Sequence, residues 1–216
     1  APFGIFAHSA LKDNYTRATL TIETDIVNDS HADASATVLH ELVDKNGTVI
    51  ATARGETQGL IKPRTHAYLI NGMEIDRPHL WTTDTPYLYT LRSMVVQNGK
   101  TLDTRTTRIG IREAKMDKDK GFLLNSKPLK MKGVNMHQDH AGVGAAIPDE
   151  LQVYRLLQLK KFGCNAYRSS HNPMTPELLD ACDSLGILVL EENRLTGINT
   201  EHTALLRRMI IRDRHH

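Results

Sequence analysis

Between Arg17 and Arg112, apolar residues recur at every second position in short runs separated by turn residues. That is the period of half-buried β-strands. Residues 19–27 and 36–43 alternate in this way, so each buries one face. Asn46-Gly47 and Asn98-Gly99 stand between such runs, and Asn-Gly suits the positive φ angles of a tight hairpin turn, so two hairpins are predicted. Further runs at 66–70, 87–96 and 104–111 bring the count to about seven short strands in roughly 100 residues, the arithmetic of an immunoglobulin-like sandwich. No Cys lies in this half, so no antibody-type bridge joins the sheets.

After Glu113 the texture changes. A charged run, Lys115-Met116-Asp117-Lys118-Asp119-Lys120, reads as a connector and divides a sandwich over 1–113 from a second domain over 114–216. Residues 129–134 predict a short strand. Pro148-Asp149-Glu150 opens an apolar helix through Val153, Tyr154, Leu156, Leu157 and Phe162, and Gly163 stops it. Asn165-Ala166-Tyr167-Arg168 predicts a second strand. Thr175-Pro176-Glu177 supplies a cap residue, a proline at the first helical position and an acid in the first turn, starting a helix that runs to Gly186. Ile187-Leu188-Val189-Leu190 is uniformly apolar and predicts a strand covered on both faces. A last helix is expected over about 201–212. Strand and helix alternating three times imply a parallel sheet.

Composition narrows the classes. The 216 residues carry 27 Lys and Arg against 25 Asp and Glu, a net charge of +2 that announces no nucleic acid partner. No apolar run approaches the roughly 20 residues that span a bilayer, so no membrane partner is expected. Cys164 and Cys182 lack a metal-type spacing and read as two reduced thiols of the core.

The chemistry-capable side chains of the second half gather just after its strands: Asn135, His137, Asp139 and His140 after the first, Arg168 and His171 after the second, Glu191, Glu192 and Asn193 after the third. The carboxyl ends of parallel strands form the binding face of such sheets, so these residues can converge. Three chemistries are open to them. His137, Asp139, His140 and His171 could ligate a metal, although no two of these His have the spacing of one helix face. Serine hydrolysis would need a Gly-x-Ser-x-Gly elbow, which is absent; Arg168-Ser169-Ser170-His171 does not replace it. Glu191 and Glu192 are adjacent, and successive residues of extended chain point to opposite faces, so at most one faces a shared pocket.

Three segments carry a resemblance: Gly133-Val134-Asn135-x-His137, then Lys160-x-x-Gly163-x-Asn165-Ala166-x-Arg168-x-Ser170-His171-Asn172-Pro173, then Cys182-Asp183-x-x-Gly186-Ile187. Together they closely resemble glycoside hydrolase family 2, the β-galactosidase, β-glucuronidase and β-mannosidase family. Leu80-Trp81-x-x-x-x-Pro86-x-Leu88-Tyr89 and Arg108-Ile109-Gly110-Ile111-Arg112 resemble the end of that family's immunoglobulin-like domain. The resemblance implies a sandwich followed by the first three units of a (β/α)₈ TIM barrel. It also implies retaining hydrolysis of terminal β-glycosidic bonds by two glutamates, with a β-linked oligosaccharide or glycoside as substrate. β-Galactosidase is the first specificity, with β-glucuronidase or β-mannosidase second. A non-catalytic carbohydrate-binding or interaction module is the competing class.

The same resemblance assigns residues. His137 and His171 match family histidines that contact the sugar, Asn135 is their neighbour, and Arg168 matches the arginine that holds the nucleophilic carboxylate ionised. Asp139, Asn172, Glu192 and Asn193 would line the pocket. No catalytic residue is expected in the chain: the acid/base Glu of an Asn-Glu pair and the nucleophile are expected beyond His216, and the family's jelly-roll domain before Ala1. The chain alone is then expected to be inactive, and its open barrel edges to favour self-association. No cofactor is expected. A magnesium ion belongs to the family's β-galactosidases, but Glu191-Glu192-Asn193-Arg194-Leu195 does not match their ligands. His215-His216 matches the family better than it matches a purification tag. The compartment stays open between the cytoplasm and periplasm of a bacterium.

Overall fold

A computed structural model describes residues 3–216, which form two compact units. The first runs to His79 and resumes over Leu88–Glu113, with His215; the second joins Leu80–Tyr87 to Ala114–Arg214, with His216.

The first unit holds strands β1 (Ile5–Lys12), β2 (Arg17–Val27), β3 (Thr37–Val43), β4 (Val49–Glu56), β5 (His66–Asp76), β6 (Tyr89–Gln97) and β7 (Lys100–Ile109). They pair in two antiparallel sheets, ordered β1-β2-β5 and β4-β3-β6-β7. Period two decides which side chains face in: Ala18, Leu20, Ile22, Thr24 and Ile26 of β2 are buried, as are Val38, His40 and Leu42 of β3. His40 is a polar pin in this core. Its Nδ1 lies 2.8 Å from Ser93 Oγ on β6 and its Nε2 3.4 Å from Thr24 Oγ1 on β2, so one imidazole links the two sheets. Burial pushes its pKa down to about 4, which keeps the ring neutral. β7 lies at a sheet edge, mostly exposed, and its Lys100, Asp103, Arg105 and Arg108 discourage further pairing.

Both hairpins form, by different routes. At Asn98 and Gly99 φ is +49° and +76°, the two positive angles of a tight turn. At Asn46-Gly47 only Gly47 is positive, at +86°, and the loop is built on Asp44, whose Oδ1 accepts from Asn46 N at 2.8 Å and Thr48 N at 2.9 Å.

In the second unit, β8 (Ala114–Asp117), β9 (Gly121–Leu124) and β10 (Lys127–Pro128) make a small antiparallel sheet. The Lys115–Lys120 run is therefore a hairpin and not a connector. Asp117 Oδ1 accepts from Asp119 N at 2.9 Å and Lys120 N at 2.8 Å, closing the turn that its charges disguise. A three-stranded parallel sheet follows, ordered β11 (Gly133–His137), β12 (Ala166–Ser170) and β13 (Leu188–Leu190), with helices α1 (Asp149–Lys161), α2 (Pro176–Leu185) and α3 (Thr200–Asp213). The first of these strands starts later than residues 129–134 suggest. Asn165 Oδ1 accepts from Lys132 N at 2.7 Å and Asn165 Nδ2 donates to Lys130 O at 3.1 Å, which holds 130–132 outside the ladder.

Thr175 caps α2 by accepting from Leu178 N, and Gly186 ends it at φ +71°. Leu156, Tyr167, Met174, Leu178, Leu179, Cys182 and Ile187 form the core between sheet and helices. Two expectations fail at its margins. Phe162 and Tyr154 of the apolar α1 pattern point outward, and Leu190 is 51% exposed because β13 is an edge strand whose face away from the helices is open. Cys182 is a core thiol, but Cys164 is only half-buried; both are free. Segment 80–87, inside the span read as sandwich, belongs to this second unit. Trp81 is buried there with Nε1 donating to Asp183 O at 2.8 Å, Asn125 Nδ2 donates to Trp81 O at 3.0 Å, and Lys160 Nζ to Thr83 O at 2.9 Å.

Candidate functional site

Register places the site. Asn135 pairs with Arg168, His137 with Ser170, and Arg168 with Leu190, and in-register partners share a face of the sheet. The alternate residues Met136, Tyr167 and Val189 pack toward the helical core. The open face therefore carries Asn135, His137, Arg168 and Ser170. Asn135 and His137 stand within β11 and Arg168 within β12, not after the strands as the sequence suggests; Asp139, His171, Glu192 and Asn193 do follow them.

The His137 and His171 rings meet edge to face, with centroids 5.2 Å apart and planes at 70°. Arg168 Nη2 lies 3.1 Å from Glu192 Oε1 and 2.9 Å from Oε2, and Arg168 Nη1 donates to Ser170 Oγ at 3.3 Å. The arginine that the resemblance assigns to a nucleophile is thus already facing a carboxylate of its own chain. Ser169 Oγ accepts from Glu192 N at 2.8 Å, fixing where the chain leaves β13. Asn172 Nδ2 donates to Gln138 Oε1 at 2.6 Å, and Gln138 Nε2 to Pro173 O at 3.2 Å, which ties the loop after β11 to the loop after β12.

The other expected lining residues join less closely. Asp139 contributes its carbonyl, which accepts from Arg155 Nη1 at 3.1 Å while His137 O accepts from Arg155 Nη2 at 3.2 Å. Asn193 Nδ2 donates to Leu195 O at 2.9 Å, a contact within its own loop. Sequence reasoning missed Gln138, Arg155 and the two serines. Gln138 and Arg155 carry no local signal, since they work by reaching across from one loop or helix to another. Glu191 turns away from Glu192, as alternation requires, and accepts from Met174 N at 2.8 Å; burial raises its pKa, with Asp213 nearby adding to the effect.

Such an arrangement can hold a polar ligand against two imidazoles beside an ion-paired arginine. Over nearly its whole length the chain matches two family descriptions: "Glycosyl hydrolases family 2" over residues 4–112, and "Glycosyl hydrolases family 2, TIM barrel domain" over residues 116–209. The chain belongs to glycosyl hydrolase family 2. Its first unit is that family's immunoglobulin-like sandwich, and its second the start of the TIM barrel domain. Among relatives, the β-galactosidase BoGH2A of Bacteroides ovatus is 37% identical over 212 residues, covering 93% of this chain and 25% of the relative. A crystal structure of a family 2 member from Bacteroides cellulosilyticus superposes with a TM-score of 0.91 at 29% identity, covering 99% of this chain and 30% of that one. The β-glucuronidase of Bacteroides uniformis superposes with a TM-score of 0.88 at 29% identity, over 99% of this chain and 26% of that one. The chain thus spans about a quarter of the length of the curated relatives it matches.

A family magnesium ion can be tested against the acids after β13. Glu191 is committed to Met174 N and lies 3.8 Å from Arg212, Glu192 faces Arg168, and Asn193 is turned into its own loop, so these residues do not assemble as ligands. Among the described residues, Asp180, Asp183 and His216 have ligand atoms within 4.8 Å of one another, but Asp180 and Asp183 lie on α2, away from the strand ends. No helix among the described residues is long and apolar enough to cross a membrane.

Proposed function

We propose that this chain is part of a retaining exo-β-glycosidase that removes terminal sugars from β-linked glycosides, with β-galactosides as the first substrate class. The observation that carries the reading is the meeting of His137 and His171 on the open face of the parallel sheet, beside Arg168 and Glu192. Imidazoles at this edge can donate to and accept from sugar hydroxyls, and Asn135 adds an amide on the same face. Arg168 supplies positive charge where a carboxylate nucleophile would need to stay ionised. Retaining hydrolysis requires two carboxyls about 5 to 5.5 Å apart, one to attack the anomeric carbon and one to protonate the leaving oxygen. Glu191 and Glu192 do not serve as that pair, since they diverge and each is held by other groups. The chain therefore furnishes the surroundings of the reaction.

β-Glucuronide hydrolysis is the second reading, favoured by the likeness to the Bacteroides uniformis β-glucuronidase. One experiment addresses both. In the full-length protein containing this chain, His171→Ala is expected to lower kcat/KM for nitrophenyl β-galactoside by roughly 10- to 100-fold, as loss of a sugar contact that tightens in the transition state does. Faster wild-type turnover of the β-glucuronide would move the substrate class. Unchanged kinetics in a folded His171→Ala variant would remove His171 from the site.

A further inference from the structure

Met174 lies three residues after His171 and immediately before the α2 cap Thr175. Its backbone is gripped on both sides by side chains from elsewhere in the same unit. The N–H donates to Glu191 Oε1 at 2.8 Å, and the carbonyl accepts from Arg212 Nη2 at 2.6 Å. Arg212 is itself held by Asp213, with Nε to Oδ1 at 2.5 Å and Nη2 to Oδ2 at 2.8 Å, and lies 3.8 Å from Glu191. Asp213 is buried, and the Glu191 and Arg212 side chains are 15% and 28% exposed. The Met174 side chain is fully buried in the helical core, and its sulfur accepts from Gln138 Nε2 at 3.4 Å.

We propose that Glu191, Arg212 and Asp213 are positioning residues: they clamp the Met174 peptide and so fix the loop His171-Asn172-Pro173 in the place where His171 meets His137. The adjacent glutamates then divide the work by strand alternation, Glu192 facing Arg168 on the open side and Glu191 fixing the loop from the core side. A mostly buried carboxylate that accepts from a backbone N–H, with an arginine 3.8 Å away, is worth its desolvation when it must hold one geometry, and a loop that carries a sugar-contacting histidine has that need. The part concerning catalysis rests on the glycosidase reading; the clamp does not.

Hydrogen exchange on the full-length protein containing this chain tests the clamp without reference to activity. In Glu191→Ala the Met174 amide is expected to exchange about tenfold faster or more, and in Arg212→Ala the amides of His171, Asn172 and Met174 likewise, while Leu179 and Cys182 in the middle of α2 keep their rates. Unchanged Met174 exchange would overturn the proposal, and so would equal acceleration throughout α2, which would make the triad a general stabiliser. If either variant fails to fold, Arg212→Lys, which keeps the charge and loses the fork, is expected to give intermediate rates at His171, Asn172 and Met174; wild-type rates there would equally overturn it. In the full-length enzyme, kcat/KM is expected to fall about tenfold in Arg212→Ala and to recover in part in Arg212→Lys. No fall in Arg212→Ala would overturn the link to His171. A wild-type enzyme that hydrolyses no glycoside would sink the functional reading and leave the exchange result to decide the clamp.

Discussion

At the scale of single residues, neighbours in sequence lead different lives. Glu191 and Glu192 are chemically identical and one peptide apart, yet one serves a buried backbone amide and the other an arginine on the open face. His40 differs from His137 and His171 in the same sense: it is buried between sheets with its pKa down at about 4, while they stand at an exposed strand edge. For His40 the sign of the pH effect follows from burial. The unfolded chain binds a proton near pH 6.5 and the folded core resists it until about 4, so its contribution is complete above pH 6.5 and lost progressively between 6.5 and 4. The urea midpoint of the wild type relative to His40→Gln is therefore expected to drop as pH is lowered from 7 to 4.5. A constant difference across that range would show that the folded core tolerates the charged ring.

At the scale of elements, end chemistry and close approach fix the second unit. The α2 helix begins at a capping Thr175 and ends at Gly186, where a side chain would be strained by φ +71° and would also run into the Thr83 carbonyl. Gly163, after α1, has φ +82° with open space around it. Gly163→Ala is thus expected to cost about 1–2 kcal/mol, the penalty of a left-handed L-residue alone. Gly186→Ala should cost more, since a backbone carbonyl cannot swing aside as a flexible side chain can. Denaturant unfolding of both variants checks this; equal losses would mean that segment 80–87 yields to the new methyl group. The charged hairpin of β8 and β9 makes the complementary point, because Asp117 closes a turn with its side chain that no hydrophobic pattern announces.

At the scale of the whole molecule, the three-stranded parallel sheet has one unpaired edge on β11 and another on β13 among the described residues. Its open face brings Leu190 to solvent, and β11 exposes Val134. Unpaired strand edges beside apolar surface are templates for association. The purified 216-residue chain is therefore expected to self-associate, or to show weaker hydrogen-exchange protection over β11 to β13 than over β2, β3 and β6. Light scattering combined with exchange measures both. A monomer at all concentrations with equal protection in the two units would contradict the expectation.

The sequence by itself determined the period-two strands of the first unit, both hairpins, the capped α2 helix and the parallel order of three strand–helix units. Each of these depends on residues near one another in the chain: alternation, Asn-Gly pairs, Thr-Pro-Glu and a closing glycine. It also placed His137, Arg168, His171 and Glu192 at one end of a sheet, because parallel strands bring their carboxyl ends together whatever the details. Tertiary structure decided the rest. Asn165 delayed the start of β11 by holding 130–132, and the indole N–H of Trp81 found its acceptor at Asp183, drawing segment 80–87 into the second unit. Which glutamate would face Arg168, and that Gln138, Arg155 and Arg212 would bind loops far from them in sequence, depended on register and on side chains crossing between elements. No local pattern encodes such contacts, since a long polar side chain obeys the same exposure statistics whether it ends in water or on a distant carbonyl.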